Sequence, residues 1–168
     1  MNLFVTDRDP GIAARNLDDK RVVKLVTECG QMLSTALRIH GIEDDKLYRK
    51  AWMHHPVTKW VAANKSNFIW CLEHALELSF QYTIRYNRVH STESVLQLAS
   101  CYLDTVQIPD SLEIIQFQNS AANVAFDLDF RNEDDVVIAY RKYLNVRWKR
   151  DARRPTWTGV LPPEWKED

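Results

Sequence analysis

The stretch DDKRVVKLVTECGQMLSTALRI, Asp18–Ile39, decides the fold class. Val22, Leu25, Val26, Cys29, Leu33, Ala36 and Leu37 recur at three- and four-residue steps, the period of a helix with one buried face. Gly41 follows as a C-terminal cap. At about 100° per residue, Lys20, Lys24, Thr27, Glu28, Gln31 and Thr35 fall on the opposite side. Such a stripe is either a solvated face, with an i,i+4 link from Lys24 to Glu28, or a catalytic one. A lysine near other cations or in a dry pocket gives up its proton more readily, and a carboxylate beside it can shuttle that proton.

The chain outside this helix continues the helical pattern. Residues 2–6 (NLFVT) form a short β-prone run, and Asp9-Pro10 opens a short helix through Ala13, Ala14 and Arg15. Asp44 to Trp52 is expected to form a short amphipathic helix, broken by Met53-His54-His55-Pro56. One long helix is predicted from about Val57 to Tyr86, where no Pro or Gly intervenes. Ser91 or Thr92 caps another helix, reaching about Leu103. Residues 110–130 fit either an irregular segment or a poor helix. Asn132 is expected to cap a last helix from about Glu133 to Arg150, followed by an extended arm, residues 151–168, packed by its tryptophans. The expected fold is all-α: a compact helical bundle forming a single domain over residues 1–168, with two long central helices.

Composition agrees with that class. A chain of 168 residues has the length of one domain, and only 4 glycines leave too few turns for a sandwich or barrel. With 22 Lys+Arg against 23 Asp+Glu, a uniformly basic nucleic-acid binder is excluded, although a local basic patch is not. Cys29, Cys71 and Cys101 are too far apart for a zinc knuckle or a CxxC pair, and suggest free thiols in a reducing cytosol. No leader pattern opens the sequence and no window approaches a membrane span, so a cytoplasmic protein is expected.

Within the second long helix, Trp60, Phe68, Cys71, Ala75 and Leu78 form an apolar stripe, and Asn64, Asn67 and His74 lie on or beside it. Tyr82 and Arg85 continue it. Polar groups there form either a core network that fixes packing or the floor of a pocket whose ligand supplies the missing hydrogen bonds. The five histidines are scattered, and no HExxH or Asp-rich loop occurs, so no metal or other cofactor is expected. P-loop, GxGxxG and GxSxG motifs are missing too. Arg141, Lys142, Arg147, Lys149, Arg150, Arg153 and Arg154 fall within fourteen positions, interleaved with Tyr140, Tyr143, Trp148 and Trp157. This pattern suits phosphates and stacked bases, or else a helix end that complements the macrodipole.

Leu17–Leu33 (LDDKRVVKLVTECGQML), His55–Trp60 (HPVTKW), Ala139–Tyr143 (AYRKY) and the RRPTW and PPEW of the tail together resemble a widespread family of small phage proteins. That family commonly carries histidine where this chain has Arg21. The sequence also resembles, more distantly, the pyrimidine-dimer DNA glycosylases of the endonuclease V type. Those are compact all-α proteins with a catalytic glutamate nine residues after an aspartate, the spacing of Asp19 and Glu28 here. HPVTKW is similar to the histidine-led segment opening their second helix, and Arg154-Pro155-Thr156-Trp157 to their aromatic tail. The resemblance implies catalysis by Glu28 and attack on the sugar by an N-terminal amine exposed when the initiator methionine is removed. Removal needs a small second residue; here it is Asn2, so Met1 is expected to stay. The amine is then displaced by one residue, with Lys20 or Lys24 as substitutes.

The expected activity is therefore cleavage or exchange of an N-glycosidic bond on a flipped or modified base in nucleic acid. In this reading Glu28 and an amine (Lys20, Lys24 or the terminus) do the chemistry. Asn64, Asn67, His74, Trp60, Arg85, His55 and Gln31 bind the substrate, with Trp52 or Trp60 stacking on the base. Arg147, Lys149, Arg150, Arg153, Arg154 and Trp157 hold the backbone. The alternatives are a non-catalytic binder of a nucleotide or modified nucleotide, such as a phage accessory protein, and a helical partner-binding module.

Overall fold

The computed structural model describes residues 1–111, 113–114 and 116–167. Among these residues six helices run in chain order: α1 Pro10–Arg15, α2 Asp19–Ile39, α3 Pro56–Ala63, α4 Lys65–Tyr86, α5 Glu93–Cys101 and α6 Val136–Arg150. Two short strands, β1 Ala122–Asn123 and β2 Leu128–Asp129, pair antiparallel around a 3-10 turn at Val124–Phe126. The protein is all-α apart from this hairpin. α2 packs along α4, α1 lies on α4, and α3 and α5 lean against α2.

The apolar stripe of α2 is buried as its spacing demands: Leu25, Val26, Cys29, Met32, Leu33, Ala36 and Leu37 meet Phe68, Cys71, Leu72, Ala75 and Leu78 of α4 in one continuous core. Each large aliphatic side chain buried there contributes about 1.5–3 kcal/mol. α6 closes the core with Tyr140, Tyr143, Leu144 and Trp148. The tail is extended, and Trp157 and Trp165 pack against that surface. Among the described residues, no helix is long and apolar enough to cross a membrane.

Four local expectations are corrected. First, Asp44–Trp52 is not helical. Its carbonyls bond instead to α2: the Arg38 guanidinium donates to the backbone oxygens of Asp44, Leu47 and Tyr48, and the Thr35 hydroxyl donates to that of Ala51. Second, the helix expected over Val57–Tyr86 is two, broken at Asn64, whose backbone is extended and whose Oδ1 accepts from the Asn67 N–H at 2.8 Å. Third, α6 begins at Val136, because Asp135 and not Asn132 caps it, accepting from the N–H groups of Val137 and Ile138. Fourth, among the described residues the NLFVT run pairs with no strand; the small hairpin lies in the ambiguous 110–130 region instead. The predicted cap of α1 is present: Asp9 Oδ1 accepts from the Ile12 N–H at 2.7 Å. Thr92 precedes α5, which ends at Cys101 rather than Leu103.

Candidate active site

The start of the chain is folded back onto the polar face of α2. Leu3 and Val5 point into the core, and Phe4 between them adopts a left-handed backbone with φ +47°. The Asn2 side chain ties this bend, accepting from the Phe4 N–H at 3.0 Å and donating to the Ser120 carbonyl at 3.3 Å. The Phe4 ring meets Tyr140 edge-on, with centroids 5.8 Å apart. These contacts bring both the first and second backbone nitrogens to Glu28. Its Oε2 accepts from the Asn2 N–H at 3.0 Å and lies 3.7 Å from the Met1 amine. Lys24 Nζ reaches Oε1 of the same carboxylate at 3.1 Å.

This cluster lines a cleft of about 280 Å³. Lys20, Arg21, Tyr143 and Arg147 complete its walls together with Ala122 and Asn123 of the hairpin. Three of the cations are braced by one buried carboxylate, Asp151, which meets Lys20 at 3.3 Å, Arg21 at 3.0 Å and Arg147 at 2.8 Å. Burial pushes the Asp151 carboxyl up, but Arg21, Arg147 and Lys20 outweigh it, so it stays ionised below the usual range. Arg147 also lies over the Phe126 ring at 3.5 Å. The walls thus carry more positive than negative charge, which favours a phosphate-bearing ligand.

His55 does not line the cleft. It caps α3, with Nδ1 accepting from the Val57 N–H at 3.2 Å, which leaves the neutral ring's proton on Nε2. Burial holds its pKa below the usual histidine value, the positive Met1 amine adds to that effect, and Glu28 opposes it. The ring therefore stands in the field of both groups. Gln31 lies one turn beyond Glu28, half-buried.

Among the residues expected to bind substrate, five are buried elsewhere in the fold. Asn64, Asn67, Trp60, His74 and Arg85 are all buried and none lines the Glu28 cleft. Asn67 Nδ2 donates to the Trp60 carbonyl at 2.8 Å, which joins α3 to α4 across their break. Trp60 stacks on Phe117 with centroids 5.1 Å apart. His74 Nδ1–H donates to the Pro10 carbonyl at 3.0 Å, and burial pushes the ring's pKa down to about 4. Arg85 donates to the Leu17 carbonyl at 2.8 Å and to Asp19 at 3.1 Å.

The basic C-terminal stretch divides. Arg147 enters the cleft; Lys149 pairs with Glu167 at 3.2 Å, and Arg150 donates to the Phe126 carbonyl at 2.5 Å. Arg153 and Arg154 are exposed, while Trp157 is half-buried, its Nε1–H donating to the Asn16 carbonyl at 3.2 Å. Asp151, which braces the cations of the cleft, was not expected there, because no local spacing marks it. Among the described residues, no group of three or more His, Cys, Asp or Glu side chains is arranged to hold a metal.

The family model described as pyrimidine dimer DNA glycosylase matches residues 1–93. The match takes in the chain start, α1 to α4, and with them Lys20, Lys24, Glu28 and His55. α6 and the arm lie outside it, so the cleft combines a matched wall with an unmatched one. No curated protein and no solved structure matches the chain. Because the match spans more than half of the 168 residues, and Glu28 with its converging amine lies within it, the chain belongs to the pyrimidine dimer DNA glycosylase family.

Proposed function

We propose that this chain cleaves the bond between a pyrimidine base and its deoxyribose in DNA, using the terminal amine as nucleophile and Glu28 as its acid–base partner. The observation that carries this reading is the convergence of the Met1 amine and the Asn2 nitrogen on one Glu28 oxygen, at 3.7 and 3.0 Å. Retention or removal of Met1 leaves a terminal amine within reach of that oxygen in either case. α-Amines are less basic than lysine side chains by more than two pKa units, so more of the free base is present at neutral pH.

In the reaction, the amine lone pair forms a bond to C1′ as the C1′–N1 bond breaks. The departing base takes the bonding electrons and then a proton from solvent. Glu28 stabilises the positive charge that builds on the sugar, then accepts the proton from the attacking nitrogen. The C1′–O4′ bond then opens as Glu28 passes that proton to O4′, leaving a protonated C1′=N imine. Loss of a C2′ proton then expels the 3′ phosphate, and water releases the protein. In this reading Lys24, whose side chain is largely exposed, meets a phosphate flanking the extruded nucleotide, while Arg21 and Arg147 stay paired with Asp151 and supply positive field.

Borohydride reduction of a mixture with a duplex holding an abasic site tests the imine. A covalent adduct mapped to the N-terminal peptide is expected, and mass spectrometry of the intact chain identifies Met1 or Asn2 as its first residue. Mapping to Lys20 or Lys24 reassigns the nucleophile. Failure to trap any adduct, together with no base release from ultraviolet-irradiated DNA, overturns the reading. The pairing of Lys149 with Glu167 and of Arg147 with Asp151 favours a second reading, a nucleotide binder with a small footprint. It requires saturation by free nucleotide and a shallow salt dependence. A DNA-tracking surface instead loses affinity with a log–log slope of about −0.9 per phosphate.

A further inference from the structure

The segment 49–55, RKAWMHH, is not a passive connection. Its start is held rigidly on α2: Ala51 bonds to the Thr35 hydroxyl through both its N–H, at 3.0 Å, and its carbonyl, at 3.2 Å. Its end is closed by a turn in which the Trp52 carbonyl accepts from the His55 N–H at 2.8 Å. Between these anchors Trp52 adopts a left-handed backbone, φ +51°. A bulky aromatic residue is a genuine outlier there, and such strain persists only where the surroundings impose it. The indole is nonetheless 66% exposed, whereas the other five tryptophans are buried or half-buried. The fold holds this large apolar ring out into water instead of packing it.

Its neighbours point to what it meets. Arg49 and Lys50 are exposed and have no carboxylate partner among the described residues, unlike Lys142 and Lys149 of α6, which are paired. Free cations followed by an exposed aromatic suit phosphates and an unstacked base. Position agrees. Thr35, which anchors the loop, stands two helical turns past Glu28 on the same face of α2, about 10 Å along the axis.

We propose that the loop Arg49–His55 grips the DNA duplex beside the cleft, with Arg49 and Lys50 on phosphates and Trp52 wedged into the base stack where the target nucleotide has been extruded. This rests on the DNA reading above, and it assigns to Trp52 the cost of keeping the nucleotide unstacked.

The test uses the full chain with Glu28→Gln, so that the DNA stays intact, and a duplex carrying 2-aminopurine beside a pyrimidine dimer. Adding Trp52→Ala is expected to weaken binding by about 5- to 150-fold, the effect of losing one base–aromatic stack. It should also abolish the 2-aminopurine brightening that reports unstacking. Trp52→Phe is expected to recover most of both signals. Replacing Arg49 and Lys50 by Gln should flatten the salt slope by about 1.8. Melting curves confirm that each variant is folded. Affinity within twofold of the parent for Trp52→Ala, with brightening intact, overturns the proposal and leaves the ring free for some other partner. Borohydride trapping by the unaltered chain reads the chemistry separately. Trapping without a Trp52 effect rejects the wedge alone, and a Trp52 effect without trapping keeps the wedge and rejects the imine.

Discussion

Glu28 is held by the chain's own start, and its replacement separates chemistry from folding. In Glu28→Gln the amide oxygen can still accept from the Asn2 N–H, a bond of 3.0 Å in the native carboxylate. It can neither take a proton nor oppose positive charge on a sugar. Base release is expected to disappear while urea denaturation shows a change of no more than about 1 kcal/mol. A Glu28→Gln chain that releases base at the native rate contradicts the assigned role. His74 makes a second prediction, about pH. Its ring is buried and neutral, with a pKa pushed down to about 4 from an ordinary 6.5. Above pH 6.5 neither the folded nor the unfolded ring binds a proton, and stability is complete. As pH falls toward 4 the unfolded chain takes up a proton that the folded chain refuses, so stability declines, by on the order of 3 kcal/mol. His55 and His90, also depressed by burial, act in the same direction. The difference between wild type and His74→Gln in denaturant titrations from pH 7 to 4 therefore isolates this residue, and the variant should show the flatter profile.

At the scale of elements, the glycine inside α2 shows packing overriding helix propensity. A Cβ on Gly30 would collide with the Thr92 methyl and lie 3.2 Å from the Tyr48 ring. Those two side chains are bonded to each other, hydroxyl to hydroxyl, at 2.9 Å. Gly30 thus lets the 41–55 connection and the start of α5 close over α2. Alanine gains about 1 kcal/mol of helix propensity but overpacks this contact at about 1–3 kcal/mol. Gly30→Ala should therefore lower stability by roughly 1 kcal/mol in urea denaturation; a more stable variant would mean that the connection can move aside. The same connection explains why the amphipathic pattern of Asp44–Trp52 misleads. Arg38 offers its carbonyls a better set of donors than a helix of so few residues can. Across the α3–α4 break, Asn64 carries both the stop and the new cap, and a cap of this kind is worth about 1 kcal/mol.

Over the whole molecule, the C-terminal arm is fastened to the start of α2 by Asp19. Its carboxylate accepts from the Thr156 hydroxyl at 2.7 Å, the Thr158 hydroxyl at 2.7 Å and the Thr158 N–H at 3.1 Å, while Arg85 reaches it from α4. Burial pushes the Asp19 carboxyl up, but the bonds from Thr158, Thr156 and Arg85 outweigh it and hold it below the usual range. Asp18 acts beside it, accepting from Arg21 at 2.7 Å and the Trp148 indole at 2.8 Å. The paired aspartates therefore join the first half of the chain to α6 and the arm, and so align the two walls of the cleft. Asp19→Asn leaves Arg85 buried without its counter-charge, and a loss on the order of 3 kcal/mol is expected. Trypsin should then cut the exposed Arg153–Arg154 bond faster than in the native chain. Unchanged cleavage together with unchanged stability would show that the arm is held by its tryptophans alone.

Much of this protein is settled locally and is legible in the sequence. The period of Val22 to Leu37 makes α2 a helix with a buried stripe, and its polar face brings Lys24 to Glu28 because residues four apart are neighbours on any helix. The Asp9-Pro10 start of α1 and the extended, tryptophan-packed tail follow from equally local chemistry. Other features depend on groups far apart in the chain. The left-handed turn at Phe4 that delivers the amine to Glu28 leaves no mark in composition or period, since it exists only because Tyr140 and Ser120 receive Phe4 and Asn2. The polar stripe of Asn64, Asn67, His74 and Arg85 could equally have floored a pocket. The backbone carbonyls of Trp60, Pro10 and Leu17 face it instead, and those groups come from other elements. A hydrogen-bonding side chain announces that it needs a partner, but only the packed chain determines which one it finds.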